Sequence, residues 1–379
     1  MKPEIIERTT GIDDIADKVY FGERLDRQDG WRLYHHPNLT ELAMLADVLR
    51  WRLNPDPTVT YIVGRNINYT NVCWVRCKFC AFYRVPGHDE GYVLTNDQIF
   101  EKIQQMVDLG GIEILLQGGL NPKLKIDWYE ELFRAIKERF GAYGVILHAL
   151  SPAEIIYIAH ISRLDMADCI RRLKAAGLDS IPGGGAEILT DRVRNEIAPY
   201  KDTAAEWLNC MRVAHRAGIR TTVTMMYGSV DTIEDRIEHL FKVRDLQDET
   251  AGFTAFIPWS FQPEGTVLGG QRATAFDYLR TVAVSRLILD NIPHIQASWV
   301  TQGPKIAQVA LRYGVDDFGS TMMEENVVSS AGCSFKMPVE EIERLIRNAG
   351  FTPTRRTTQY QHLPNGVSDG SPLHTAAHR

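Results

Sequence analysis

The chain has 379 residues, of which 44% are apolar and 24% charged, with a formal net charge of −6. That composition is ordinary for a globular protein and excludes a disordered or fibrous chain. The acidic balance argues against a nucleic-acid binder, no apolar run approaches the roughly 18 residues of a membrane span, and the charged start MKPEIIERTTGIDD predicts a cytoplasmic protein without an export signal.

In chain order, residues 1–57 form an N-terminal helical extension, with a helical stretch over 42–51 and a stop at Asn54-Pro55-Asp56-Pro57. From 58 to 360, short apolar runs alternate with stretches of helical period. Strands are predicted over 61–67, 112–116, 145–148, 178–181, 220–226, 252–257, 294–299 and 316–319. Helices are predicted over 96–109, 128–140, 204–217, 233–246, 276–290 and 338–349, with Thr95 as a cap at one start and Gly110 and Gly218 at helix ends. Strand-then-helix repetition predicts a parallel sheet, and eight such units fit a (β/α)8 TIM-type barrel, with a doubly wound open sheet as the alternative. Residues 361–379, rich in Gly, Ser, Pro and His without periodicity, read as a flexible tail.

Six cysteines are present, and three of them, Cys73, Cys77 and Cys80, fall within eight residues just after the first predicted strand. In a reducing compartment such a cluster reads as metal-binding or catalytic before it reads as disulfides. Cys169 and Cys210 lie in helical segments and read as buried thiols; Cys333 sits in a glycine-containing loop and is left open. A structural zinc site wants four ligands, and His88 is eight residues beyond Cys80. Three thiolates on a four-iron cluster leave one iron open instead.

The spacing CxxxCxxC, with Phe79 before the last cysteine, resembles the signature of the radical S-adenosylmethionine (SAM) superfamily. The strings NYTNVCWVRCKFCAFYR, EILLQGGLNP, SIPGGGAEIL, TVTMMYG and FTAFIPWSFQP resemble its menaquinone-pathway branch, over residues 61–360. Within that branch, LDNIPHIQASWVTQG and DDFGSTMMEENVVSSAG look most like the members that cyclise dehypoxanthinyl futalosine. A sister group, which adds the adenosyl radical to a carboxyvinyl benzoate, shares most of the earlier strings.

The resemblance implies a radical SAM oxidoreductase with one 4Fe-4S cluster on Cys73, Cys77 and Cys80, with SAM bound beside it, and with reduced flavodoxin or ferredoxin as electron donor. A non-catalytic iron–sulfur protein is the alternative from another class, although the glycine-rich strings are not something an electron carrier needs. Gln117-Gly118-Gly119 at the second strand's end reads either as a tight turn or as the motif whose carbonyls meet the methionine amino group. Glu187, after Gly183-Gly184-Gly185-Ala186, is the candidate partner for SAM hydroxyl or amino groups. Arg192 or Arg194 is a candidate for the SAM carboxylate, and Phe82 and Tyr227 for the adenine. His148 at the third strand's end is the candidate base, its ordinary pKa of about 6.5 suiting proton transfer.

Overall fold

The computed structural model describes residues 11–363 apart from 325, 333, 334 and 336. Cys333 and nearly all of the predicted tail therefore lie outside the described residues. Among the described residues ten strands are present: β1 (Thr58–Ile62), β2 (Gly64–Asn68), β3 (Glu113–Gln117), β4 (Ile146–Ala149), β5 (Ser180–Ile181), β6 (Arg220–Tyr227), β7 (Phe253–Ser260), β8 (His294–Ile295), β9 (Asp317–Ser320) and β10 (Thr352–Arg355). Strands β2 to β8 form one parallel sheet in sequential order, and β9 and β10 flank β1 in a second parallel sheet. A parallel bridge from Gln296 to Asp317 links β8 to β9, and β1 runs on into β2, so the parallel pairings make a continuous ring. This is the α/β barrel architecture expected from the alternation.

The first predicted strand is in fact two. Thr58–Ile62 pairs with β9 and β10, and the chain switches partners at Val63 so that Gly64–Asn68 pairs with β3. Strand β10, which has no counterpart among the predictions, occupies the edge of β1 that β3 leaves free. The predicted strand over 294–299 is shorter than expected: after Ile295 the chain turns, and Trp299–Gln302 is a short helix. Ser298 and Thr301 share a hydroxyl contact of 2.8 Å at its start.

The helices begin where side chains satisfy their free N–H groups. Thr95 with Gln98, Thr203 with Glu206 and Thr232 with Asp235 form reciprocal capping boxes. Gly110 and Gly218 adopt φ of 72° and 74°, left-handed values that suit glycine after a helix. The described part of the N-terminal extension holds three helices, Asp13–Phe21, Arg27–His35 and Leu39–Leu53, the last two packed on the barrel helices Ile233–Thr250 and Ala275–Ile288. Buried Arg50 donates to the carbonyls of Asn54, Asp56 and Thr58 and so ties that extension to β1.

Below the sheet, the segment after β10 closes the barrel floor. Arg356 forms a buried pair with Asp317, Thr358 donates to Glu113 at 2.7 Å, and the Tyr360 ring stacks on His294 at 3.8 Å. Entry to the interior is thus from the strands' C-terminal ends, the end at which barrel sites lie.

Candidate functional site

Between Asn68 and the helix Asn96–Asp108 the chain makes a long loop without helix or strand. Its shape is set by backbone bonds: Cys73 N–H to the Arg84 carbonyl at 2.9 Å, Lys78 N–H to Ile197 at 2.8 Å, and Cys80 N–H to Cys77 at 3.2 Å. The Arg84 guanidinium donates to the carbonyls of Ala81, Phe82 and Tyr83 and gathers the loop's second half. Arg76, between the first two cysteines, sits at φ 57°, a left-handed value that lets the loop curl.

Cys73, Cys77 and Cys80 all line one cavity of about 240 Å³, and none is in a disulfide. Burial pushes the Cys77 and Cys80 thiols up from their ordinary value. Gln117, Gly118 and Gly119 line the same cavity, and so does Phe82. Neither glycine has a positive φ, so the reason for them is space, not dihedral freedom. A Cβ on Gly118 would lie 2.6 Å from the Tyr69 ring, and one on Gly119 would lie 2.4 Å from the Val72 carbonyl oxygen. Only a bare backbone fits beside the cysteine loop.

Glu187 also faces this cavity, buried and held at φ 41°. A non-glycine residue there carries about 1–3 kcal/mol of strain, which the surrounding fold must hold. Its Oε1 accepts from the Lys201 ammonium at 2.6 Å, while its Oε2 is buried and has no partner among the described residues. Lys201 is the cavity's cation, and sequence reasoning missed it: nothing in Pro199-Tyr200-Lys201 marks the lysine as internal.

The two arginines do not reach the cavity. Arg192 is half exposed and pairs with Asp235 and the Val230 carbonyl. Arg194 is buried but saturated, donating to Asp202 and to the carbonyls of Gly185 and Ala186. It braces the glycine-rich turn from behind. Tyr227 is likewise corrected: inward positions on β6 are Thr222 and Thr224, so alternation turns Tyr227 out to the helix layer. There its ring lies 4.6 Å under the Arg236 guanidinium.

Glu154 was also missed. It lines the cysteine cavity, fully buried, and accepts from Tyr69 Oη at 2.7 Å, Gly118 N–H at 3.0 Å and Ser151 Oγ at 2.7 Å. Burial raises its carboxyl from 4.5 to about 7, against the lowering effect of those donors. Between those pH values the unfolded chain has lost the proton that the folded chain keeps. Stability therefore falls as pH rises from 4.5 to 7, then stays lower by about 3 kcal/mol. Glu154→Gln keeps an acceptor for Tyr69 and Gly118, and thermal melts of it should lose that pH slope; an unchanged slope would overturn the assignment.

A second cavity of about 270 Å³ runs down the barrel and shares Gln117, Gly184 and Trp259 with the first. Its exposed wall area is mostly apolar, but polar side chains punctuate it, among them Asn66, His148, Gln296, Ser298 and Thr301, with Glu113, Arg356 and Thr358 at the floor. The Asn66 Oδ1 is buried and has no partner among the described residues, which makes it a ready hydrogen-bond acceptor. His148 Nδ1 lies 2.9 Å from Ser180 Oγ, and that hydroxyl donates onward to the Arg220 carbonyl at 2.8 Å. Ser180 therefore accepts, Nδ1 carries the hydrogen, and Nε2 is left with its lone pair. Burial lowers the His148 pKa, which keeps the ring neutral.

Two family models match the chain: the radical SAM superfamily over residues 67–243, and the CofH/MqnC C-terminal region over 250–368. The chain is 48% identical to a cyclic dehypoxanthine futalosine synthase of Halalkalibacterium halodurans, over 92% of this chain and 94% of that protein. It is 45% identical to one of Streptomyces coelicolor, over 93% and 89%. An aminodeoxyfutalosine synthase of Thermus thermophilus is 40% identical over 92% and 95%. Among solved structures, methylornithine synthase superposes with a TM-score of 0.72 at 20% identity, over 90% of this chain and 97% of that one. That likeness speaks for the fold alone. No helix among the described residues is long and apolar enough to cross a membrane.

Proposed function

From the premise that the chain belongs to the radical SAM superfamily, in the branch with the CofH/MqnC C-terminal region, we propose that it cyclises dehypoxanthinyl futalosine in menaquinone biosynthesis. The observation that carries the reading is the junction of two cavities. One holds three free thiols and a glycine cradle; the other is a floored, largely apolar chamber, and the two share a wall. The choice of the cyclase over its sister synthase rests on the greater identity to the cyclase relatives.

In this reading Cys73, Cys77 and Cys80 hold one 4Fe-4S cluster. The three free thiols line one cavity, and in such a cluster each thiolate binds a separate iron. When bound, the cluster and SAM would supply one-electron chemistry, a 5′-deoxyadenosyl radical able to abstract the hydrogen of the ribose 4′ carbon. The chain's own residues do the rest. Glu187 Oε2 accepts from a SAM O–H or N–H, Lys201 balances the negative charge, and Gly118 and Gly119 let backbone come close. The apolar chamber keeps solvent donors away from a carbon radical. After the C4′ carbon bonds to the benzoate ring, that ring would regain aromaticity by giving its proton to His148 Nε2 and one electron to the oxidised cluster or its carrier. A reduced flavodoxin or ferredoxin and a cytoplasmic setting complete the proposal.

The test is anaerobic turnover of dehypoxanthinyl futalosine deuterated at the ribose 4′ position. Deuterium should appear in 5′-deoxyadenosine, with a product two hydrogens lighter than the unlabelled substrate. An enzyme that ignores this compound and joins adenosine to a carboxyvinyl benzoate would overturn the proposal.

A further inference from the structure

The inner edge of β2 carries a buried acceptor that nothing in the described fold serves. Side chains alternate across a strand, and on β2 the inward positions are Asn66, which lines the barrel chamber, and Asn68, which lines the cysteine cavity. Two residues of strand, about 6.6 Å, separate them. Asn68 sits beside Gln117 in the β2–β3 pairing, and Gln117 lines both cavities. Asn66 is therefore one step down the strand from the junction of the two cavities, on the chamber side.

Asn66 is 4% exposed, and its Oδ1 has no partner among the described residues. Its neighbours on the chamber wall are spent on the fold. His148 bonds Ser180, Glu113 accepts from Thr358, and Arg356 pairs with Asp317. A buried acceptor without a donor is a cost that the folded chain alone does not offset. The donor has to come from what enters the chamber.

An amide oxygen accepts and never donates, and that selects among the groups a substrate presents. In the compound assigned above, the benzoate carboxylate only accepts, whereas the ribose hydroxyls donate. The reacting 4′ carbon has to face the cysteine cavity. The hydroxyl on its 3′ neighbour is then the one that a residue one step below that cavity meets.

We propose that Asn66 is a specificity-determining residue, whose Oδ1 accepts a hydrogen bond from the ribose 3′-hydroxyl and so holds the 4′ carbon at the junction of the two cavities. The inference rests on the proposed cyclisation of dehypoxanthinyl futalosine and adds the group by which its sugar is read. A substrate without that hydroxyl fills the chamber and leaves the acceptor dry and unpaired, and sites of this kind reject such analogues strongly.

The test gives the reconstituted holoenzyme, with SAM and a reductant, three compounds: dehypoxanthinyl futalosine and its 3′-deoxy and 2′-deoxy analogues. The unaltered protein should lose about ten- to 100-fold in kcat/KM on the 3′-deoxy compound and no more than about threefold on the 2′-deoxy compound. Asn66→Leu removes the acceptor and keeps the volume. It should lose a similar factor on the full compound and turn over the 3′-deoxy analogue within about twofold of it. Its melting temperature without substrate should hold or rise, because no bond of the fold is lost. A melting temperature lowered with the 3′ preference intact would make Asn66 a structural residue and overturn the proposal. So would equal turnover of the full and 3′-deoxy compounds by the unaltered protein, a comparison that needs no variant to fold. Either result leaves the cyclisation itself standing. Turnover of none of the three compounds would overturn the cyclisation, and this inference with it.

Discussion

Replacing Cys73, Cys77 and Cys80 together by alanine should lower bound iron and sulfide, after anaerobic reconstitution, from about four each per chain to near zero. All 5′-deoxyadenosine formation should go with it. The fold should survive. Bonds that shape the loop run through backbone and the Arg84 guanidinium, not through sulfur. Circular dichroism and gel filtration should therefore match the unaltered protein. Single variants should lose the cluster less completely, because two thiolates still offer a partial site. Iron retained at the original stoichiometry by the triple variant would refute the ligand assignment.

The parts of this site that were legible in the sequence are those fixed by short-range spacing. Three cysteines in eight residues, two glycines at a strand end and a run of three glycines before Glu187 all define backbone that must pass close to something. The barrel followed from strand–helix alternation, and the capping boxes fixed several helix starts. What the sequence left illegible depends on long-range packing. Lys201 is indistinguishable from a surface lysine until the fold places it 2.6 Å from Glu187. Strand β10, Thr-Pro-Thr-Arg, has no apolar pattern and becomes a strand only because β1 offers a free edge. Tyr227 is different, since a signal was available. Alternation along β6 puts Thr222 and Thr224 inward and Tyr227 outward.

Substituting Lys201 by methionine should be the most damaging single change outside the cysteines, and it discriminates between three cations. Glu187 is buried, the Lys201 side chain is 9% exposed, and the two meet at 2.6 Å. Removing only the lysine leaves a buried carboxylate unpaired, a loss of about 3–5 kcal/mol of local stability unless the carboxyl takes up a proton. Either response removes the arrangement that presents Glu187 Oε2 to the cavity. SAM affinity in calorimetry should fall by about 1.5–3 kcal/mol, roughly ten- to 150-fold in Kd. Glu187→Gln alone should cost about 1–3 kcal/mol of SAM binding. The double variant Glu187→Gln with Lys201→Met has no unpaired charge, so its melting temperature should recover while SAM affinity stays low. Arg192→Ala should bind SAM as the unaltered protein does, because that guanidinium is spent on Asp235 at the surface. Arg194→Ala should lose stability first, since its side chain holds the Gly185 and Ala186 carbonyls and pairs with Asp202. Unaltered SAM affinity in Lys201→Met would remove the lysine from the binding site, and a drop confined to Arg192→Ala would return the role to the arginine that the fold points away.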